Sequence, residues 1–186
     1  QYTPGKGWDE NKLDMFRRHI IQLGTTGVFV IYDELEGKEA VTWSYLLHTV
    51  ELPMEIQGLT DEVKVIGKNK AGDVSVAHLI SPAKTEPAMV DTFFCAPTNW
   101  KYVTNAQGKA LKYPNHWHFS STTVPCKTAR FLTVMDTHGK NRPDMQVVRK
   151  GNTIQVGDWT ITCNLTEKGK AAIYVSNKTE KVSLNY

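Results

Sequence analysis

No stretch of about eleven or more residues in this chain carries the 3.6-residue apolar period of an amphipathic helix, which removes most fold classes at once. What recurs instead is a short run of β-branched and aromatic residues closed by a turn. Val63-Lys64-Val65-Ile66 leads into Gly67-Lys68-Asn69-Lys70-Ala71-Gly72-Asp73, a hairpin signal, and the return run is Val74 to Ile80. The last third repeats the pattern in Gln146–Val148, Thr153–Val156, Trp159–Cys163, Ala172–Val175 and Val182–Leu184, with Gly-Asn, Gly-Asp and Lys-Gly turns between them. Short strands spaced by roughly 8 to 12 residues predict an all-β fold, an antiparallel β-sandwich of many short strands. The final strands form either a small second C-terminal sheet or a continuation of the first.

The densest part of the pattern is Met15 to Val50. Val28-Phe29-Val30-Ile31-Tyr32 is too short for a helix and is apolar on every residue, so it reads as a strand buried on both faces, ending at a polar loop from Asp33. Val41, Trp43, Tyr45 and Leu47 then alternate with polar residues, the period of a half-buried strand. These two strands are expected to lie side by side and set the register. The chain divides into a polar lead-in, residues 1–14, a sandwich, 15–135, and C-terminal strands, 136–186, with a loop over Asp136–Pro143. His116–Phe119 and Ala129–Met135 are expected to face each other, and Lys84–Pro97 to contribute Val90, Phe93 and Phe94 to the core.

Bulk properties exclude some functions. The 186 residues are 40% hydrophobic and 22% charged, with a net charge of +3 spread along the chain. A nucleic-acid binder concentrates its basic residues in a stripe, so no nucleic-acid partner is expected. No run approaches the roughly 20 apolar residues of a membrane helix. The chain starts at Gln1 with neither an initiator Met nor a signal peptide, which reads as a processed or excised segment. Cys95, Cys126 and Cys163 have no zinc-like spacing, and one disulfide among them stays open.

Several side chains invite a chemical reading. His116-Trp117-His118 puts two imidazoles on one strand face, the beginning of a zinc site for which His138 or Asp136 offers a third ligand. The competing reading is a polar strand face. His48 and Asp33, at neighbouring strand ends, suggest an oriented acid/base pair or two locally satisfied edge groups. Arg17 and Arg18 point to opposite faces of one strand, each toward a carboxylate such as Asp33, Glu34 or Glu36 or toward an anionic ligand. Among the tryptophans, Trp43 and Trp159 read as core, and Trp100 and Trp117 as platforms for sugar rings. Asn164 and Asn177 open glycosylation sequons.

Phe16-Arg17-Arg18-His19, Val30-Ile31-Tyr32-Asp33-Glu34-Leu35-Glu36 and Trp43-Ser44-Tyr45-Leu46-Leu47-His48, taken in order, resemble the heparinase II/III-like polysaccharide lyases. In that family an Arg-His strand, a hydrophobic strand ending in Tyr-Asp or Val-Asp, and a Trp/Tyr-Leu-Leu-His strand follow one another in the C-terminal β-sandwich. Asn115–Phe119 and Ala129–Val134 sit in an order similar to the end of such chains. The resemblance implies an exported bacterial setting, periplasmic or secreted. It implies a parent enzyme that degrades uronic-acid polysaccharide, of the heparin or heparan sulfate type, by β-elimination.

The family's catalytic Tyr, His and Asn or Glu, and its structural metal ligands, lie on an N-terminal helical toroid and the earliest sandwich strands, upstream of the Arg-His strand. The resemblance therefore implies no catalytic residue and no cofactor in this segment, which supports the cleft, with the toroid and an anionic polysaccharide as partners. A structural metal belongs to the parent enzyme. Arg18, His48, Trp100 and Trp117 are the candidate substrate contacts, and His116 and His118 the candidate metal ligands. The alternatives are a non-catalytic carbohydrate-binding sandwich and a metal-dependent enzyme built on His116 and His118.

Overall fold

The computed structural model describes residues 12–58, 62–82, 84–91, 104–109, 116–166 and 168–185. Fourteen strands and no helix occur among them. They are β1 (Leu13–Gln22), β2 (Val28–Val41), β3 (Ser44–Val50), β4 (Glu55–Gly58), β5 (Glu62–Lys68), β6 (Val74–Ile80) and β7 (Thr85–Val90). Then come β8 (His116–Thr123), β9 (Cys126–His138), β10 (Val147–Lys150), β11 (Thr153–Val156), β12 (Trp159–Cys163), β13 (Ala172–Ser176) and β14 (Lys181–Asn185). All the pairings are antiparallel, and the fold is all-β as the strand pattern predicts.

Three sheets stack. The middle one has six strands in the order β1-β2-β9-β6-β5-β4. On one face lies the five-stranded sheet β10-β11-β12-β13-β14, and on the other the three-stranded sheet β3-β8-β7. Two cores result. Val28, Val30, Tyr32, Ile80, Leu132 and Val134 of the middle sheet meet Ile154, Val156, Trp159, Ile161, Ile173 and Val175 of the C-terminal sheet. On the opposite face Val63, Val65, Ala77, Leu79, Ala129 and Phe131 meet Tyr45 and Phe119. A middle strand covered on both faces has no solvent side, and so Phe131, Leu132, Thr133 and Val134 are all buried. Each fully buried Phe, Leu or Val contributes about 1.5–3 kcal/mol.

β2 does not stop at Tyr32, as the polar residues after it suggest; it runs on to Val41. Asp33 and Glu34 can continue a buried strand because β1 lays Arg18 and Arg17 directly across from them. Nor do β2 and β3 lie side by side. The ladder with β9 breaks between Glu36 and Val41, and the chain leaves the middle sheet for the outer one. β8 and β9 make the return crossing at the same corner. Thr123 N–H donates to the Trp43 carbonyl (2.9 Å), Trp43 N–H to Thr123 Oγ1 (3.1 Å), and the Trp43 indole N–H to the Cys126 carbonyl (3.1 Å). Trp43, expected inside a strand, is thus the pin of the corner. Gly37 sits beneath it, where a Cβ would come within 3.3 Å of the indole and 3.0 Å of the Glu39 carbonyl oxygen.

β8 and β9 face each other across the core from different sheets, joined by Val124 and Pro125 alone. β9 continues three residues into the segment read as loop, ending at His138. The turn between β1 and β2 is held to the end of β9: Thr137 N–H and Oγ1–H both donate to the Gly27 carbonyl, at 3.0 and 2.9 Å. Val90 ends β7, while Phe93 and Phe94 lie outside the described residues.

Candidate functional site

The two arginines of β1 separate to opposite faces, as strand geometry requires. Arg18 grips Asp33 with both nitrogens, Nε to Oδ1 at 2.6 Å and Nη2 to Oδ2 at 2.8 Å. Its guanidinium lies 5.6 Å from the ring centres of Phe16 and Tyr45. The hydrogen bond to Asp33 raises the Arg18 pKa, against a smaller opposing effect of burial. Asp33 is buried and Arg18 about 42% exposed, so one edge of the cation stays open to solvent.

On the other face, Arg17 Nη1 lies 3.5 Å and His19 Nε2 3.9 Å from the buried Glu34. His19 stacks on Tyr32, whose hydroxyl donates to the Asn164 carbonyl at 2.6 Å. Burial pushes the Tyr32 hydroxyl up to about 12, so it acts there as a fixed donor. Arg130, opposite Glu34, donates to the carbonyls of Asn164, Thr166 and Gly169 at 3.3, 2.5 and 2.8 Å. These bonds fasten the middle sheet to the turn before β13.

The third group is the outer face of β3 and β8. His48 stands directly opposite His118 in the ladder. The rings meet edge to face, 4.6 Å between centroids and 86° between planes. His116 precedes His118 by two residues and so shares its face. The His118 pKa is lowered, by burial first and then by His48 and His116. Exposed Leu46 and Val50 flank the imidazoles on β3. Trp117 points the other way: its ring packs against the inner core and its N–H donates to the Glu51 carbonyl at 3.3 Å. Trp100 lies outside the described residues.

Two expected constellations are not assembled. Asp33 lies within the middle sheet, bound by Arg18, and His48 lies in the outer sheet, so the two form no acid/base pair. His138 and Asp136, offered as third ligands to His116 and His118, stand on β9 in the middle sheet. The neighbour of that pair is His48. Among the described residues, no three His, Cys, Asp or Glu side chains converge as metal ligands.

A polar cluster at the end of β9 was not foreseen. Buried Asp136 accepts from Arg142 Nη2 and from the Met145 N–H (2.7 Å). His138 Nε2 lies 3.1 Å from Asp144 Oδ1 and 3.9 Å from Asp136 Oδ2, and Lys64 Nζ lies 3.9 Å from Asp144 Oδ2. The sequence signal was Asp136, His138, Arg142 and Asp144 within nine residues, which composition alone reads as loop. Burial pushes the Cys163 thiol up to about 12, leaving it unreactive. Cys126 and Cys163 are free thiols, and Cys95 lies outside the described residues.

No protein-family model matches this sequence, and no curated protein matches it. A search of solved structures finds a heparinase III, solved with methylated lysines, at a TM-score of 0.50 and 18% identity. The match covers 95% of this chain and 24% of that one, so the chain spans about a quarter of the solved protein's length. At this identity the likeness is one of fold, shared with a region of that heparinase III.

Proposed function

We propose that this chain is the C-terminal β-sandwich region of a heparinase II/III-like polysaccharide lyase, exported to the periplasm or beyond the cell. The parent enzyme degrades a uronic-acid polysaccharide of the heparin or heparan sulfate type by β-elimination, and this segment braces the cleft without supplying the catalytic groups. The observation that carries the reading is the structural likeness to heparinase III over 95% of the chain. The strand succession Arg17-Arg18-His19, Tyr32-Asp33 and Leu46-Leu47-His48 supports it independently. The catalytic toroid and the polysaccharide are the partners in this reading. Arg18 and His48, both with exposed surface, are the first positions at which this segment would meet substrate.

The test is a lyase assay on this chain with heparan sulfate and alginate, following the ultraviolet absorbance of the unsaturated uronide product. A cooperatively folded protein that forms no product is the expected result. Product from this chain alone would overturn the bracing role and direct mutagenesis to His48, His116 and His118. Oligosaccharide affinity without product, lost in Trp100→Ala, would replace the reading with a carbohydrate-binding module.

A further inference from the structure

We propose that the loop end of the middle sheet carries a groove that binds an acidic oligosaccharide, a chain of sugars with spaced carboxylates. The choice of a uronic-acid chain rests on the function proposed above; the groove alone asks for a hydroxyl-rich anion. Two clefts adjoin there. One, of about 540 Å³, lies against the loop after β9, where Lys140, Asn141 and Arg142 line it. The other, of about 290 Å³, runs from the β5–β6 turn to Thr49 and Val50 of β3. Asp73 lines both, so one carboxylate stands where they meet. The ladder sets Lys68 opposite Val74 and Val74 opposite His138. Lys68 and the start of the Lys140 loop are therefore two strand spacings apart, roughly 10 Å.

Both walls are held before any ligand arrives. In the β5–β6 turn Asn69 N–H donates to the Asp73 carbonyl (3.1 Å), and the Asn69 amide to Asp73 Oδ2 (2.8 Å). In the other wall Asp136 holds Arg142 and the Met145 N–H, and Arg142 N–H donates to the Gly139 carbonyl at 3.1 Å. The walls touch: Gly72 takes a φ of 90°, and a Cβ there would come within 3.3 Å of the Lys140 side chain. A preformed groove loses little freedom on binding. Charge and lining give the ligand class. Lys70 is engaged by Glu51 at 2.8 Å, and Lys64 lies 3.9 Å from Asp144. Lys68 and Lys140 are exposed and pair with no carboxylate among the described residues. These two cations suit the carboxylates of the ligand. Between them Asp73 Oδ1, which accepts from no described residue, suits a sugar hydroxyl, and Asn141 and Ser75 add further polar partners. A ligand anionic along its whole length would be repelled at Asp73. No Phe, Tyr or Trp lines either cleft, so nucleobases have nothing to stack on.

The experiment titrates a mannuronate hexasaccharide into the full chain by calorimetry, with cellohexaose as the neutral control and sodium sulfate as the simple anion. One site per chain is expected, weakened by added salt and closed to both controls. Lys68→Ala and Lys140→Ala should each weaken binding about three- to fivefold, and Lys178→Ala, on the β13–β14 turn, should leave it unchanged. Asp73→Ala should also weaken it, because a hydroxyl contact is lost. All four side chains are exposed, and an unchanged melting curve checks that each variant folds. No binding overturns the groove, as does affinity that survives both lysine substitutions or equal affinity for sulfate. Unchanged or tighter binding by Asp73→Ala removes the hydroxyl contact and overturns the sugar assignment. Failure here leaves the bracing role intact, and product in the lyase assay leaves the groove intact, so the two readings fail separately.

Discussion

The two outer sheets cover opposite faces of the same middle sheet and are built in opposite ways. The C-terminal sheet is five strands in chain order, each hydrogen-bonded to the next, so all its pairings are local. The three-stranded sheet joins β3 to β8 and β8 to β7, pairing His48 with a residue seventy positions away. One sheet closes short loops. The other must wait until the chain has crossed the Trp43 corner twice. Local pairing forms at small entropic cost, whereas distant pairing is bought only once the core behind it is in place.

Core truncation in each outer sheet tests this contrast and has the largest expected effect. Phe119→Ala empties the core beneath β8 and should cost about 3–5 kcal/mol, and Ile161→Ala beneath β12 about 2–5 kcal/mol. Hydrogen exchange separates the two. Phe119→Ala is expected to expose the amides of β3, β7 and β8 while those of β11 to β13 keep their protection. Parallel loss of protection in both sheets would show that the three layers open as one unit, and the contrast would fall.

The same difference explains what could be read from residues alone. Strands β5, β6 and β10 to β14 lie where hairpin chemistry puts them, because Gly72, Gly151 and Gly157 take the positive φ that their turns need. The partition into three layers was hidden. Val28–Tyr32 and the alternation at Tyr45 and Leu47 are both legible as strands, yet nothing local says that the chain changes sheets between them. The Arg18–Asp33 pair could be anticipated from charge and strand period. The His48–His118 pair could not, since it rests on a ladder between distant segments. The Asp136 cluster was missed because a buried carboxylate beside an arginine has the composition of a loop.

Arg18→Ala sharpens the picture where the middle sheet reaches its edge strand. It strands the buried Asp33 without its counter-ion and should cost about 3 kcal/mol, less than a fully buried pair because Arg18 is part-exposed. Asp33→Asn leaves a cation that water can reach, so its cost should be smaller, about 1–2 kcal/mol. Urea midpoints at constant slope measure both. Equal losses would mean that Arg18 matters through its stacking between Phe16 and Tyr45 instead. On the face toward the C-terminal sheet, Tyr32→Phe removes one donor while Arg130 still reaches the Asn164 carbonyl. A loss of about 1 kcal/mol is expected there.

The smallest effect separates the outer sheets by pH. His118 is held below its ordinary pKa by burial and by the neighbouring His48 and His116, so the unfolded chain takes up a proton more readily than the folded one. Stability is then complete above the unfolded histidine range, near 6.5, and declines as pH falls through that value toward the folded pKa. The C-terminal sheet carries no histidine from β10 to β14, so it contributes no such slope. Wild type and His118→Gln, unfolded in urea between about pH 7.5 and 5, give the comparison. The substituted protein should lose part of the acid-side decline, with exchange at β3 and β8 rising first in the wild type. An unchanged slope would show that His118 does not carry the acid sensitivity, and the pH contrast between the outer sheets would fall.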